Sequence, residues 1–480
     1  MFYSKLEPSP LFGITLTEGG GEVQVSCSPQ IRRYPLVTRD GVALGTIWGL
    51  LLPDAAEGIE IGADRITVAG AVEDARAFEA RVLEGLRGSF VAVTGGALPA
   101  RLYPDCGASL PIVFCAASRR AASSAGMLLG PEEYAARFLE DRHRRLVESG
   151  GAADRWIPGA LTAHAGVTRL MPNHYLDLAA WEAVRFWPRP EEFSFGLPLE
   201  SAVETVSERL QGFMAAVAGR GTAAIALTAG FDSRMLLAAA WGAGVAGRIE
   251  SFTLTPGKPG LDQIVSGALA ERAGMRHRLV PMVMASPAER ARWDSAVGQV
   301  IAHVNRDIHP SLRQLDHDVT LTGVWGETGR SRLYQHELSS INDRAPSADL
   351  VLARLGRPQE PEVVAMVEAW LAGLEGFPTS VVLDLAYLEM SYTMLWRPAQ
   401  CAEIPELLPF ADRAVQRAFL SVAPEAKGTD RLFRACLAHM WPQALDLPVN
   451  RYGNYRDPLA KLTRALQPAR LGAFLRARMA

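Results

Sequence analysis

Lysine is the scarcest charged residue in this chain. Only four occur, Lys5, Lys258, Lys427 and Lys461, although lysine and arginine together number 49. A skewed codon composition accounts for the bias, and it makes each lysine easy to weigh as a catalytic candidate. Cysteine is sparse too. The five, Cys27, Cys106, Cys115, Cys401 and Cys436, are scattered and contain no C-x-x-C pair. That excludes a zinc ribbon, argues against a disulfide framework and points to a reducing cytoplasm. No apolar run approaches the roughly 18 residues a membrane helix needs. Met1 to Leu16 carries Lys5 but no continuous apolar stretch after it, so no secretory signal is expected. An excess of positive charge is also missing. With 52 acidic residues against 49 basic, the net charge is −3, without the footprint of a general nucleic-acid binder. The nine histidines, His164, His174 and His277 among them, show no metal-ligand spacing. Neither nucleic acid nor membrane is expected as a partner.

What is present suits a folded globular protein. The 480 residues are 49% hydrophobic and 21% charged, enough for two to four domains with a large core. The first ~190 residues read as short strands and turns. Gly45 to Leu52, Gly88 to Val93, Arg101 to Tyr103 and Ile112 to Cys115 are strand-like runs. Ala75 to Leu86 has helical spacing, with Phe78, Val82 and Leu86 as its stripe. Strands around a few helices predict an α+β layer. Met171 to Leu178 reads as a turn entering a strand. Phe186-Trp187-Pro188-Arg189-Pro190 reads as an extended linker, because paired prolines disfavour helix. The boundary between domains is placed near residues 188–197.

The second half alternates strand and helix. Leu199 to Ala218 predicts an amphipathic helix, Ala223 to Leu227 a buried strand, and Ser233 to Trp241 a helix. Ile249 to Leu254, Arg278 to Val280 and Val319 to Thr322 read as strands, with a helix over Asp262 to Gly274. This rhythm predicts a parallel sheet wrapped by helices, with ligands at the carboxyl ends of its strands. Beyond Asp349 the pattern is mostly helical. The tail from Leu459, with Lys461, Arg464, Arg470, Arg476 and Arg478 and no acid, reads as a solvated face interrupted by Pro468.

The strongest chemical signal is Ala226-Leu227-Thr228-Ala229-Gly230-Phe231-Asp232-Ser233-Arg234. A buried strand enters a small-residue loop and a helix begins at once. Free backbone N–H groups and a helix N-terminus then converge on one point, which suits a phosphate or pyrophosphate. Ala229 and Gly230 allow close backbone approach, and Thr228 and Ser233 add hydroxyls. Asp232 cannot favourably face phosphate alone but can hold a Mg²⁺ that bridges to it. The plain alternative is a strand-to-helix turn with a side-chain cap.

These residues resemble the S-G-G-x-D-S pyrophosphate loop of the asparagine synthetase superfamily, with Thr228 for Ser and Ala229 for the first Gly. Thr322-Gly323-Val324-Trp325-Gly326-Glu327 is similar to that family's second motif, which places Glu327 where relatives have a metal-binding Asp. Arg330 and Arg332 follow. The stretch Ile249 to Leu254 is similar to the adenine-contacting strand, with Asp262 as a nearby structural acid. Pro409-Phe410-Ala411-Asp412 resembles P-F-L-D, and Leu447 to Arg451 the later stretch where relatives place a lysine near the phosphates. No lysine aligns there, so either Arg451 or Lys461 substitutes or the role is lost. Gly88-Ser89-Phe90 and Pro104-Asp105-Cys106-Gly107 with Pro111 resemble the family's glutamine amidotransferase domain.

The resemblance implies an α+β Ntn-hydrolase-like domain over residues 1–190, then an α/β parallel-sheet ATP-pyrophosphatase domain over 191–480. The latter would be adenine nucleotide α-hydrolase-like, with a helical carboxyl-terminal part. Glutaminase chemistry needs a cysteine at the mature N-terminus, but Phe2 follows Met1, so a silent amidotransferase half is expected. Relatives of that kind adenylate a carboxylate and close an amide, as in β-lactam synthetases and lasso-peptide cyclases. Val324 stands where β-lactam synthetases have Tyr, which weakens that particular ring closure. Tyr387 and Glu389, on an expected helix, are candidate acid–base groups.

ATP and Mg²⁺ are the implied cofactors. Thr228, Ala229, Gly230, Phe231, Asp232, Ser233, Leu254 and Gly323 are the implied nucleotide contacts. Asp232 and Glu327 are the implied metal ligands, and both act catalytically together with Arg330. The implied partners are a small-molecule or peptide carboxylate, an amine and a peptide-maturation protein. Two alternatives stay open: asparagine synthesis from free ammonia, and a non-catalytic nucleotide-binding protein.

Overall fold

The computed structural model describes residues 14–19, 22–52, 58–148, 155–257, 260–391, 394–454 and 457. The alternating pattern of the first half builds two sheets. One has eight strands, in the order Glu182–Arg185, His174–Asp177, Arg101–Pro104, Gly88–Thr94, Ala43–Leu51, Arg32–Thr38, Ile66–Val68 and Ile59–Ile61. All its neighbours are antiparallel except Arg32–Thr38 with Ile66–Val68. The other has five antiparallel strands, with Ile112–Cys115 between Thr168–Leu170 and Arg120–Ala122.

The two-residue period of a strand sends successive side chains to opposite faces. In Gly88–Thr94, Val91 therefore joins Leu16, Trp48, Leu102 and Phe114 between the two sheets. Phe90 and Ala92 face the other way, into the main core with Phe78, Val82 and Leu86. The helical stripe predicted over Ala75 to Leu86 is buried as expected, but it is not one α-helix. Ala75–Ala77 forms a single α turn and Phe78–Leu83 continues in the wider π form, with the Glu84 N–H reaching the Glu79 carbonyl.

The second half is a mixed α/β layer around a five-stranded parallel sheet. Its strands lie in the order His277–Pro281, Glu250–Thr255, Ala223–Ala226, Val319–Leu321 and Glu406–Leu407. Helices Leu199–Ala218, Phe231–Gly242 and Leu261–Ala273 fall within two residues of the sequence expectation. From Ala348 the described chain is mostly helical, including Thr379–Met390, Arg413–Ser421 and Arg431–Met440. The chain winds outward from Ala223–Ala226 in one direction, then returns to pair Val319–Leu321 on its other side. That reversal opens a crevice at the carboxyl ends of these two strands, where ligands of such sheets bind. Among the described residues no helix is long and apolar enough to cross a membrane.

One continuous hydrophobic core spans both halves, from Tyr34, Phe90 and Phe186 to Leu210, Leu236 and Phe410. Buried charges fasten the joint. Arg397, 1% exposed, donates to the Ser109 carbonyl at 2.8 Å and the Glu406 carbonyl at 2.8 Å, and it pairs with the Glu406 carboxylate. Arg397→Ala would leave Glu406 buried without its cation, so a loss of about 3–5 kcal/mol is expected. The double change Arg397→Met with Glu406→Leu should recover much of it. Urea denaturation followed by both fluorescence and circular dichroism measures this; equal losses in the single and double variants would refute the assignment.

Candidate functional site

The strand Ala223–Ala226 ends in a loop that folds on itself. The Thr228 N–H donates to Ser233 Oγ at 3.0 Å, the two hydroxyls lie 3.0 Å apart, and the Gly230 N–H donates to Thr228 Oγ1 at 3.2 Å. Ala229 is held from both sides. Its N–H donates to Asp262 Oδ1 at 2.9 Å, and its carbonyl accepts from the Asn450 N–H at 3.1 Å. Arg234, fully buried, donates to the carbonyls of Ala444 (2.9 Å), Leu447 (2.6 Å) and Pro448 (2.9 Å), clamping that segment behind the loop. The helix Phe231–Gly242 starts at Gly230, which offers no side-chain cap. Its first N–H groups have no intrahelical partners and carry the positive end of the helix dipole.

The strand Val319–Leu321 brings in a second loop. Two glycines let it press on Asp232. A Cβ at Gly323 would lie 2.7 Å from Asp232 Cβ, and one at Gly326 would lie 2.4 Å from Asp232 Oδ1. Trp325 (φ +70°) and Ser331 (φ +53°) both adopt the left-handed region, which side chains other than glycine rarely enter. Between them runs the 3₁₀ turn Gly326–Arg330. It delivers Arg330 Nη2 to 2.9 Å from Asp232 Oδ2 and 3.5 Å from Glu327 Oε1. Arg330 Nη1 lies 3.6 Å from Asp430 Oδ1, and the guanidinium lies over the rings of Phe231 and Phe433, 5.7 and 5.5 Å from their centroids, on one side of this edge-to-face pair. The Tyr387 hydroxyl donates to Glu327 Oε2.

Three carboxylates face one guanidinium at this point. Desolvation pushes the Asp232 carboxyl up to about 7; Arg330 opposes the rise, while Glu327 and Asp430 add to it. Burial works against the charge of Arg330, yet Asp232 and Glu327 hold its pKa above the ordinary value. Asp232 Oδ1 is buried and has no hydrogen-bond partner among the described residues. That unpartnered oxygen, on a carboxylate whose other oxygen shares Arg330 with Glu327, is the observation that fits a magnesium ion. Among the described residues no group of three or more His, Cys, Asp or Glu forms a metal cage. Magnesium held largely by substrate phosphates and water needs only one or two carboxylates.

The two loops thus bring together Thr228, Ala229, Gly230, Phe231, Asp232, Ser233, Gly323, Glu327 and Arg330. Leu254 is one strand away, and its carbonyl already accepts from Gln263 Nε2 at 2.6 Å. Glu389 belongs elsewhere. It is buried at the joint between the halves, paired with Arg185 at 2.7 Å and bonded to Trp370 and Asn173 at 2.6 and 2.9 Å. Arg332 is exposed, with Nε 3.7 Å from Glu327, and Arg451 is exposed as well. Lys461 and the basic residues after it lie outside the described residues. Sequence reasoning missed Asp430, which is far along the chain from its partners and has no motif around it. The first half has an open groove of about 570 Å³ lined by Gln24, Arg33, Thr46, Trp48 and Thr94, with no cysteine on its wall. No protein-family model matches the chain, and neither does any curated protein.

The raised Asp232 value fixes the direction of a pH effect. An unfolded aspartate ionises near about 3.9, whereas the folded group holds its proton up to about 7. Its contribution to stability is complete below the unfolded value and is lost as pH rises through the folded one. Asp232→Asn, which does not titrate, should therefore gain stability relative to the wild type between roughly pH 4 and pH 7. Denaturation midpoints of both proteins across that range, in a metal chelator, test this. A pH-independent difference would rule out the raised value.

Proposed function

We propose that the chain is an ATP-dependent amide-forming synthetase. It would adenylate a carboxylate, join it to an amine, and release AMP and pyrophosphate. The carrying observation is the convergence of Asp232, Glu327 and Arg330 at a helix N-terminus in the switch-point crevice of a parallel sheet. On this reading the second half is an ATP-pyrophosphatase domain of the adenine nucleotide α-hydrolase type. The first is an Ntn-like layer without glutaminase chemistry, and the asparagine synthetase resemblance supports both assignments.

The residues take separate roles. The N–H groups at the start of Phe231–Gly242, with Thr228 and Ser233, would bind the phosphates, and Leu254 and Gly323 would flank the nucleotide. Asp232 Oδ1 and Glu327 would hold Mg²⁺, which supplies charge neutralisation of the phosphates when bound. Arg330, pre-positioned beside the rings of Phe231 and Phe433, would stabilise charge building on the leaving pyrophosphate. Tyr387, hydrogen-bonded to Glu327, would hold that carboxylate in position for the metal. The carboxylate and amine would come from a small molecule or a peptide, macrolactam or lasso-peptide closure being one such reaction. In that case a peptide-maturation protein would be a partner. One observation favours a second reading, a binding module without turnover: Arg330 already pairs with both proposed metal ligands.

ATP–pyrophosphate exchange across a panel of carboxylates and peptides decides between them. Exchange with any member is expected, abolished by Asp232→Ala and reduced about 10²–10³-fold by Arg330→Ala. Turnover that survives Asp232→Ala would refute the site. Nucleotide binding by calorimetry without exchange would favour the binding module.

A further inference from the structure

The turn around Gly107 in the first half touches the loop that bears Glu327. Asp105, 1% exposed, ties that turn into a rigid unit. Its carboxylate accepts from the N–H groups of Phe90, Gly107 and Ser109, each at 3.0 Å, and its own N–H donates to the Phe90 carbonyl at 3.0 Å. The turn is thereby bolted to the central strand Gly88–Thr94. Gly107 presents its bare Cα to the ring of Trp325, and a Cβ there would lie 1.7 and 1.8 Å from two ring carbons. Only glycine allows this seat.

Trp325 is 1% exposed, and its indole N–H has no hydrogen-bond partner among the described residues, so packing sets the position of the ring, while its carbonyl accepts from Thr328. Its backbone is in the left-handed region at φ +70°, a conformation that persists only where the surroundings enforce it. The next residue, Gly326, abuts Asp232 Oδ1, and the one after is Glu327. The loop is therefore gripped between the Gly107 turn on one side and Asp232 on the other. Neither grip leaves room for a methyl group.

We propose that the first half serves as the mount of the nucleotide site, with Trp325 as the positioning residue whose seat on Gly107 fixes Glu327 and Arg330. The proposal rests on the reading of that site as the place of adenylation. A silent amidotransferase-like half thereby keeps a present use. It holds the metal-binding loop in a strained conformation that the second half does not enforce alone. Trp325 touches no substrate and acts through the loop that carries it.

Two variants and two readouts test it. Gly107→Ala should push the indole and its loop away. Gly107→Ala combined with Trp325→Phe should restore room for the ring. Hydrogen–deuterium exchange of the full chain needs no ligand. It should show faster exchange over residues 323–330 in Gly107→Ala, unchanged exchange in the parallel strands, and return toward wild type in the double variant. In ATP–pyrophosphate exchange, kcat should fall about tenfold or more and KM for ATP should rise with it, because Gly323 and Glu327 move with the loop. Unchanged protection over 323–330 in Gly107→Ala overturns the mount, as does loss of protection throughout the chain without rescue. Altered protection in a protein that shows no exchange activity even as wild type would keep the mount and remove the adenylation reading.

Discussion

Asp232 at the first turn of a helix is the constraint around which the second half is arranged. Its side chain keeps 23% of its surface accessible, yet it is crowded from one direction by Gly323 and Gly326. A second loop can come that close only where Cβ atoms are missing. Once it does, Glu327 and Arg330 have little choice of position. The parallel sheet supplies the crevice, but the two glycines decide that this crevice holds two carboxylates and a guanidinium and not an open cleft.

The joint between the halves uses arginine where a lysine would fail. Arg397 serves two carbonyls and a carboxylate at once, and within the second half Arg234 serves four carbonyls in the same way. Arg185 engages both oxygens of Glu389. A planar fork with five donors satisfies several fixed acceptors; an ammonium on a flexible stem does not match that geometry. The arginine excess therefore has structural use, whatever codon bias produced it. The one fully buried lysine described, Lys427, meets a compact demand instead, pairing with Asp384, which also accepts from the Tyr334 hydroxyl at 2.9 Å.

Much of the second half was legible because its signals are local. A run such as Ala223-Ala-Ile-Ala226 followed by small residues and a helical stripe declares strand, loop and helix within a dozen positions. The first half was harder. Arg32–Thr38 contains paired arginines and Pro35, which read against a strand. Proline is tolerated there because pairing with Ile66–Val68 begins only at Leu36. The π turn at Phe78–Leu83 keeps its apolar stripe on one side, so periodicity could not separate it from an α-helix. At the site, motifs pointed to Asp232 and Glu327, but nothing local announced Asp430 or the contact of Tyr387 with Glu327. Glu389 shows the opposite failure: a polar residue two positions from Tyr387 on a helix faces another direction and serves the joint.

The charge balance at the site restricts what it can accept. Asp232, Glu327 and Asp430 surround one half-buried guanidinium, so a triphosphate arriving alone would meet an excess of negative charge. The proton that Asp232 retains up to about 7 relieves part of that excess. A divalent cation held by Asp232 and Glu327 would relieve more, and Asp232 would have to be ionised to hold it. On the proposed reading nucleotide and magnesium therefore enter together, and Asp232 gives up its proton as they do. Arg330 would then be free to turn part of its pairing to the phosphates, with Phe231 and Phe433 still beside it. A guanidinium held by ring faces can change partners without moving far, which is what charge stabilisation at a leaving pyrophosphate requires.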